Sequence, residues 1–496
     1  MDDLNQSQNI YQGENPPAGE TAEPVYTEEV PIGQPAPTGE PSLPESQLSQ
    51  ALPPSEVPPP PFIEENPLKK ILPIVGGALF ALLVLFVLSR ILFHRGPGTP
   101  KEITLTYWGL WEEEKVFKPL ITDFQKTHPA IKINYVKQNK IQYRERLQGR
   151  FQSGEGPPDI FRFHNTWVPM LQNDLAPVPQ NILTNSDFEK FFYPVVKNDL
   201  AREGVYYGIP LEIDGLSLFY NEDILKAAGV KVPTTWDELR DSAFKSTVKD
   251  SQGRIKTAGV ALGTTGNIEH WSDILGLMFL QNGANPGKPE GETAEGALAF
   301  YHFFAEAPKN TWDQNMENSI VAFAEGKVAM IFAPSWQALT IKEMNPNLNF
   351  KIASVPQLSG GTTVTWASYW VEGVWNKSKG KAEAFEFLKF LVQRENMVKL
   401  YSEEAKTRLF GEPYSRVDLA DQLKNDPYLF PLILQAPTSR SWYLCSRTGD
   451  NGINDKIIKY YEDAINSLSG GASPRSALET AAKGVAQVLS SYGITP

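Results

Sequence analysis

Apolar residues along this 496-residue chain follow two regimes. From Ile71 to Leu88 no charged or strongly polar side chain interrupts the run, and extending it to Phe93 admits only Ser89 and Arg90. About 20 residues of helix, at about 1.5 Å each, span a hydrocarbon core about 30 Å thick. Pro73, Gly76 and Gly77 would weaken a helix in water but are better tolerated in a bilayer. The pattern predicts one uncleaved membrane anchor over residues 69–93. A signal peptide would start the chain with a short basic stretch and end at a small-residue cleavage site, whereas here a long tail precedes the run.

Beyond residue 100 the pattern alternates between periods of 2 and 3.6. "EITLTYWGLW" reads as a strand, with Ile103, Leu105 and Tyr107 on one face until Gly109 breaks it. Val116, Phe117, Leu120, Ile121 and Phe124 then mark one face of a helix, with Pro119 in its first turn or at a kink, and "HPAIKINYV" returns as a strand. Strand, helix and strand in this space predict a βαβ unit and a parallel sheet. "PPDIFRF", two runs within "GVYYGIPLEIDGLSLFY" and "RIKTAGVAL" are further strands. "VPTTWDELRDSAF" opens a helix with Thr235 as N-cap and Glu238 three residues on, a capping box. "WSDILGLMFLQNGA" is a helix ending at Gly283, and "SIVAFAEGKVAMIFAPSW" a helix, a glycine turn and a strand. "AFEFLKFLVQRENMVKLYS", "NDKIIKYYEDAINSLSGG" and "SPRSALETAAKGVAQVLSSYG" read as amphipathic helices.

Composition separates the tail from the rest. Residues 1–67 hold fifteen prolines and twelve carboxylates with no Lys or Arg, too little apolar surface to offset the entropy of ordering. A disordered spacer over residues 1–68 is expected, with recruitment of a partner as the sharper alternative. The tail also explains the net charge of −12. Residues 1–70 carry 2 basic minus 12 acidic groups, or −10, which leaves −2 for everything after them. Nothing in that balance resembles a nucleic-acid footprint. One cysteine, Cys445, precludes an internal disulfide, and five scattered histidines offer no metal spacing, so no metal or cofactor is expected. "GDNGIND" clusters oxygen ligands without EF-hand spacing and reads better as a capped loop. Lys69 and Lys70 lie on one side of the anchor and Arg90, Arg95 and Lys101 on the other. The flanking charges thus lean, if anything, toward a cytoplasmic C-terminal domain.

Phosphate loops, nucleophile elbows and zinc-protease motifs are absent from the sequence, although 58 carboxylates leave room for a hydrolytic pair. The positive signal is aromatic. Trp108 and Trp111 end the first strand, Trp336 follows "GKVAMIF", and Trp366, Tyr369 and Trp370 flank another strand. Ligands of open parallel sheets bind beyond the carboxyl ends of the strands. Flat rings there suit the C–H faces of a sugar, with polar side chains for its hydroxyls.

The segment "YYGIPLEIDGLSLFYNEDILKAAGVKVPTTWDEL" resembles the signature of extracellular solute-binding proteins of the maltose-binding type, which feed ATP-driven (ABC) transporters. "ITLTYWGLW", "FQKTHPAIKI", "GPPDIF", "AFAEGKVAMIFAPSW" and "KAEAFEFLKFLVQ" fall in the family's order, over essentially residues 101–496. The resemblance implies an α/β fold of the type II periplasmic-binding-protein kind. Its two lobes would hinge about a cleft, one from about 101–211 and 357–400, the other from about 212–356 and 401–496, after a linker at 94–100. It implies a non-enzyme that captures a carbohydrate, with Asp214 as an acidic sugar ligand, Trp336 as a stacking ring, and His164, Asn165 and Trp442 as further contacts. Trp108, Trp111, Glu112, Trp271, Trp366 and Tyr369 complete the expected set. An ABC permease would be the partner, the protein a monomer, the binding domain extracellular or periplasmic, and the tail cytoplasmic, the anchor replacing the family's lipidated cysteine. A sensor or chemoreceptor subunit and an anchored glycoside hydrolase are the alternatives.

Overall fold

The computed structural model describes residues 81–87 and 102–496. The chain divides into two compact units, Met1–His94 and Arg95–Pro496. In the first, residues 81–87 are helical and exposed. Among the described residues no helix is long and apolar enough to cross a membrane. The rest of the expected anchor over 69–93, the tail 1–68 and the linker 94–100 lie outside the described residues.

The second unit is built on two sheets. One has the strand order 370–374, 160–164, 103–109, 131–137. Ile103–Gly109 runs parallel to both Ile131–Lys137 and Ile160–His164, while Trp370–Val374 is antiparallel to Ile160–His164. The helix Glu114–Thr127 buries the five apolar residues its period predicts, with Pro119 inside it. The other sheet orders 350–353, 216–221, 328–334, 255–260, 248–249. It is mixed rather than parallel: Leu216–Asn221 is antiparallel to Val328–Pro334, and only Ile255–Val260 runs parallel to that strand. This departure from the βαβ expectation shapes the site. Antiparallel pairing in the register Leu216↔Pro334 sets the residues before one strand beside those after the other.

Three segments carry the chain between the sheets. The first, after the short strand Val205–Tyr206, is extended but only bridges locally, at Ile209↔Glu372 and Glu212↔Tyr414. Half of the predicted two-strand run is therefore a crossing, not a strand. The second includes Thr365–Trp366, paired with Ser439–Arg440, and the third follows the helix Arg394–Ala405. The single helix expected over 384–402 is two, Lys381–Leu391 and Arg394–Ala405. Asn396 explains the break: its side-chain amide donates to the Phe390 carbonyl at 2.7 Å, and Arg416 donates to that of Val392 at 3.2 Å. Such side-chain bonds compete with the backbone ladder. The capping box of Thr235 and Glu238 forms as its spacing predicts. "GDNGIND" is a capped loop, where the buried Asp450 carboxylate accepts backbone N–H groups of Gly452, Asn454 and Asp455.

Candidate functional site

The ends of the two sheets gather the candidate residues. Trp336 stands two residues beyond Val328–Pro334 and is, at 38% exposure, the only exposed tryptophan among the described residues. Its ring meets that of His270 edge-on at 5.8 Å. His270 is buried. Its Nε2 lies 3.1 Å from the Gln337 side-chain nitrogen, and its Nδ1 3.0 Å from Ser446 Oγ and 3.5 Å from Asp273.

Asp214 reaches this turn because of the antiparallel pairing described above. Its Oδ1 accepts the N–H groups of Gly215 (2.7 Å) and Ser335 (3.0 Å), and its Oδ2 the Ser335 hydroxyl at 2.9 Å. Burial pushes its carboxyl up to about 7, against the lowering effect of the Ser335 and Gly215 N–H groups. The neighbour must be glycine: a Cβ at Gly215 would lie 1.8 Å from the Trp366 carbonyl oxygen. Ser368 ties the two sheets' ends together, donating its N–H to the Asp214 carbonyl at 2.9 Å while its hydroxyl lies 3.1 Å from His164 Nε2.

At the first sheet, Trp111 and Trp370, both half-buried, meet edge-on at 5.6 Å, and Trp370 also packs on Trp167 and His164 at 5.3 Å. His164 is bonded through Nδ1 to Thr166 at 2.8 Å, and burial drives its imidazole down to about 3, so it is neutral. Asn165 donates to Asp199 at 2.8 Å and accepts the Tyr369 N–H at 3.1 Å. Asp199 also accepts the Tyr369 hydroxyl at 2.9 Å and that of Ser441. Burial raises its carboxyl to about 6 against the lowering effect of the Ser441, Tyr369 and Asn165 bonds. Trp442 is half-buried against Tyr443.

Other expected contacts lie deeper. Trp366 is 1% exposed with its indole N–H on Asp273 at 2.8 Å, and Trp108 and Trp271 are also buried. Glu112 is buried against Arg162, whose Nη1 donates to both its oxygens at 3.1 and 3.0 Å. The structure thus brings Asp214 and Trp336 together at one turn and Trp111 beside Trp370. It places Trp108, Glu112, His164, Asn165, Trp271, Trp366 and Tyr369 in the packed interior, and Asp214 itself is buried. His270, Ser335, Ser368 and Asp199 were not singled out from the sequence. Each acts from a turn, loop or helix end, where periodicity carries no signal.

Residues 109–398 match the family model described as bacterial extracellular solute-binding protein. The multiple sugar-binding protein of Streptococcus mutans is 24% identical over 375 residues, 69% of this chain and 81% of that protein. Among solved structures, the sugar-binding protein MalE of Xanthomonas citri superposes with a TM-score of 0.64 at 18% identity, covering 78% of this chain and 98% of that one. The GacH receptor of Streptomyces glaucescens, solved unliganded and with acarbose, gives 0.61 at 21% identity, covering 78% and 99%. These structures share the two-lobed α/β architecture.

Proposed function

The chain belongs to the bacterial extracellular solute-binding proteins, and from that premise we propose that it captures a carbohydrate, an oligosaccharide above all, and hands it to the permease of an ABC transporter. One observation carries the reading: Trp336 alone among the described tryptophans is exposed, at the strand ends, with its edge fixed by His270. A buried aromatic serves packing; an exposed one held by its neighbours offers a preformed apolar face to a sugar ring. Trp111, Trp370 and Trp442 are half-buried and supply further apolar surface. Asp214 fixes the turn that presents Trp336, through the Gly215 and Ser335 N–H groups and the Ser335 hydroxyl. Nothing in this task requires covalent chemistry; binding and hinge closure suffice.

Residues 71–93 anchor this binding domain on the outer side of a membrane, with the acidic tail inside. The assignment rests on the family and on the eighteen-residue apolar run, against the lean of the flanking charges. A thermal-shift screen against a carbohydrate panel, followed by calorimetry, tests the ligand class. A ligand that binds only the native state raises stability by RT ln(1 + [L]/Kd), about 2.7 kcal/mol at a hundredfold excess over Kd. No shift with any mono- or oligosaccharide refutes the sugar reading. Protease shaving of intact cells tests the side: loss of the tail epitope with the large domain protected would reverse the topology.

A further inference from the structure

Five glutamates and two arginines meet where the chain crosses between the sheets. Arg162 bridges Glu112 and Glu372, at 3.0 and 2.8 Å. Arg408 bridges Glu404 and Glu412, at 3.2 and 2.8 Å. Each guanidinium thus faces two carboxylates, and a fifth is left over. Glu212 is 4% exposed; its Oε1 takes the Trp370 N–H at 3.2 Å, and its Oε2 has no hydrogen-bond partner. One oxygen from each of Glu112, Glu212 and Glu412 lies within 4.8 Å of the other two. A cavity of about 10 Å³ is lined by Glu212, Glu404, Glu412 and Arg162 together with tyrosine and apolar side chains, with Glu112 outside that lining. That is about the room one water or one ion needs.

We infer that Glu112, Glu212 and Glu412 hold a divalent cation of the calcium class at this crossing. The donors are all oxygens, which suits a hard cation. Calcium accepts irregular oxygen sets at about 2.3–2.6 Å, whereas magnesium demands a near-ideal octahedron at about 2.0–2.1 Å, so an irregular set of protein carboxylates suits the larger ion. Charge points the same way. Five carboxylates, four of them buried, face two guanidiniums, and a buried charge without a counter-charge is costly. Protons are the competing solution: burial and the neighbouring Glu412 raise Glu212, and burial and Glu112 push Glu404 up to about 8. A cation would take the protons' place and use the orphaned Oε2. Glu112 can serve both partners, since a carboxylate offers about four acceptor positions. The three donors come from the end of the first strand and from two crossing segments, so the ion would tie the hinge to the first sheet. The inference is independent of the sugar reading, because no sugar enters its test.

The full-length protein in detergent is stripped with a chelator and titrated with calcium chloride by calorimetry, and its melting is followed with calcium or magnesium chloride. The expected result is one saturable heat and a melting temperature raised more by calcium than by magnesium. Glu212→Gln keeps the shape and the Trp370 bond but removes the charge, and should weaken calcium binding at least tenfold; Glu412→Gln should do the same and serves if the first variant misfolds. The inference is overturned if the stripped protein takes up no calcium. It is equally overturned if both variants bind calcium as the unmodified chain does, or if lowering the pH alone reproduces the melting shift while calcium has no effect.

Discussion

Replacing Asp214 by asparagine and by alanine separates an organising role from direct contact with sugar. The carboxylate accepts three protein hydrogen bonds, two on Oδ1 and one on Oδ2. Asparagine keeps an oxygen for the Gly215 and Ser335 N–H groups. Its amide can donate to the Ser335 hydroxyl, which then turns to accept. What is lost is charge assistance, the difference between about 1.5–3 kcal/mol for a bond to a charged group and about 1 kcal/mol for a neutral one, partly offset because a buried carboxylate no longer needs solvation. The net cost to stability should be about 1 kcal/mol or less. Alanine leaves two backbone N–H groups and a hydroxyl without their acceptor; the hydroxyl can turn elsewhere, and at about 1–3 kcal/mol for each N–H that stays unsatisfied the cost is about 2–6 kcal/mol. Because Ser335 precedes Trp336, the alanine variant should also release the ring. Urea unfolding and calorimetry with the sugar found in the panel are the assays. Asn should bind within threefold of the unmodified protein, and Ala at least tenfold more weakly, about 1.4 kcal/mol. If Asn alone costs tenfold or more in affinity while unfolding is unchanged, the carboxylate itself touches the sugar and the organising role is wrong.

Trp336→Ala removes an exposed ring and should weaken sugar binding at least tenfold by calorimetry while the melting temperature without sugar hardly moves. Asp199 titrates near 6 in the fold against an ordinary value of 3.8. The native state therefore holds its proton more tightly than the unfolded chain. Stability should fall as pH rises from about 4 to about 6, by about 3 kcal/mol at about 1.4 kcal/mol per unit, and urea titrations of Asp199→Asn should lack that part of the slope. Thr235→Ala breaks a capping box and should lower stability by about 1 kcal/mol, read as an earlier urea midpoint. Gly215→Ala sets a Cβ 1.8 Å from a backbone oxygen and should cost about 1–3 kcal/mol or more, with weaker sugar binding because the same turn carries Asp214.

The elements set by local pattern were legible. The helix Glu114–Thr127 buries the five residues its period marks, and Thr235 caps as its spacing requires. What escaped is non-local. No period in "GIPLEIDGLSLFY" says that Gly208–Asp214 leaves one sheet for the other, because an extended crossing and a strand share the same alternation. Nor does any local signal show that Leu216–Asn221 runs against Val328–Pro334 rather than with it. The split between Lys381–Leu391 and Arg394–Ala405 depends partly on Arg416, far along the chain.

The candidate site shows in the sequence through some of its rings, Trp336 above all, and much less through its polar groups. Tryptophans at strand ends are visible in sequence, but whether a ring faces solvent or core is decided by neighbours that only the fold supplies. Trp336 and Trp366 both adjoin strands, yet one is 38% exposed and the other 1%, because Asp273 and Gly276 enclose the second. Carboxylates are harder still. Asp214 and Glu212 sit two residues apart on one crossing, and apart from the family resemblance no local pattern treats them differently. In the fold, Asp214 meets three donors at the turn before Trp336, whereas Glu212 turns toward Glu112 and Glu412 and keeps one oxygen without a donor. A chain that leaves an extended segment between two sheets must bury alternate side chains on opposite sides of it. Glu212 and Asp214, two residues apart, share a side by that rule, so what parts them is their partners: Asp214 is captured by the Gly215 and Ser335 N–H groups at the turn, and Glu212 by the Trp370 N–H.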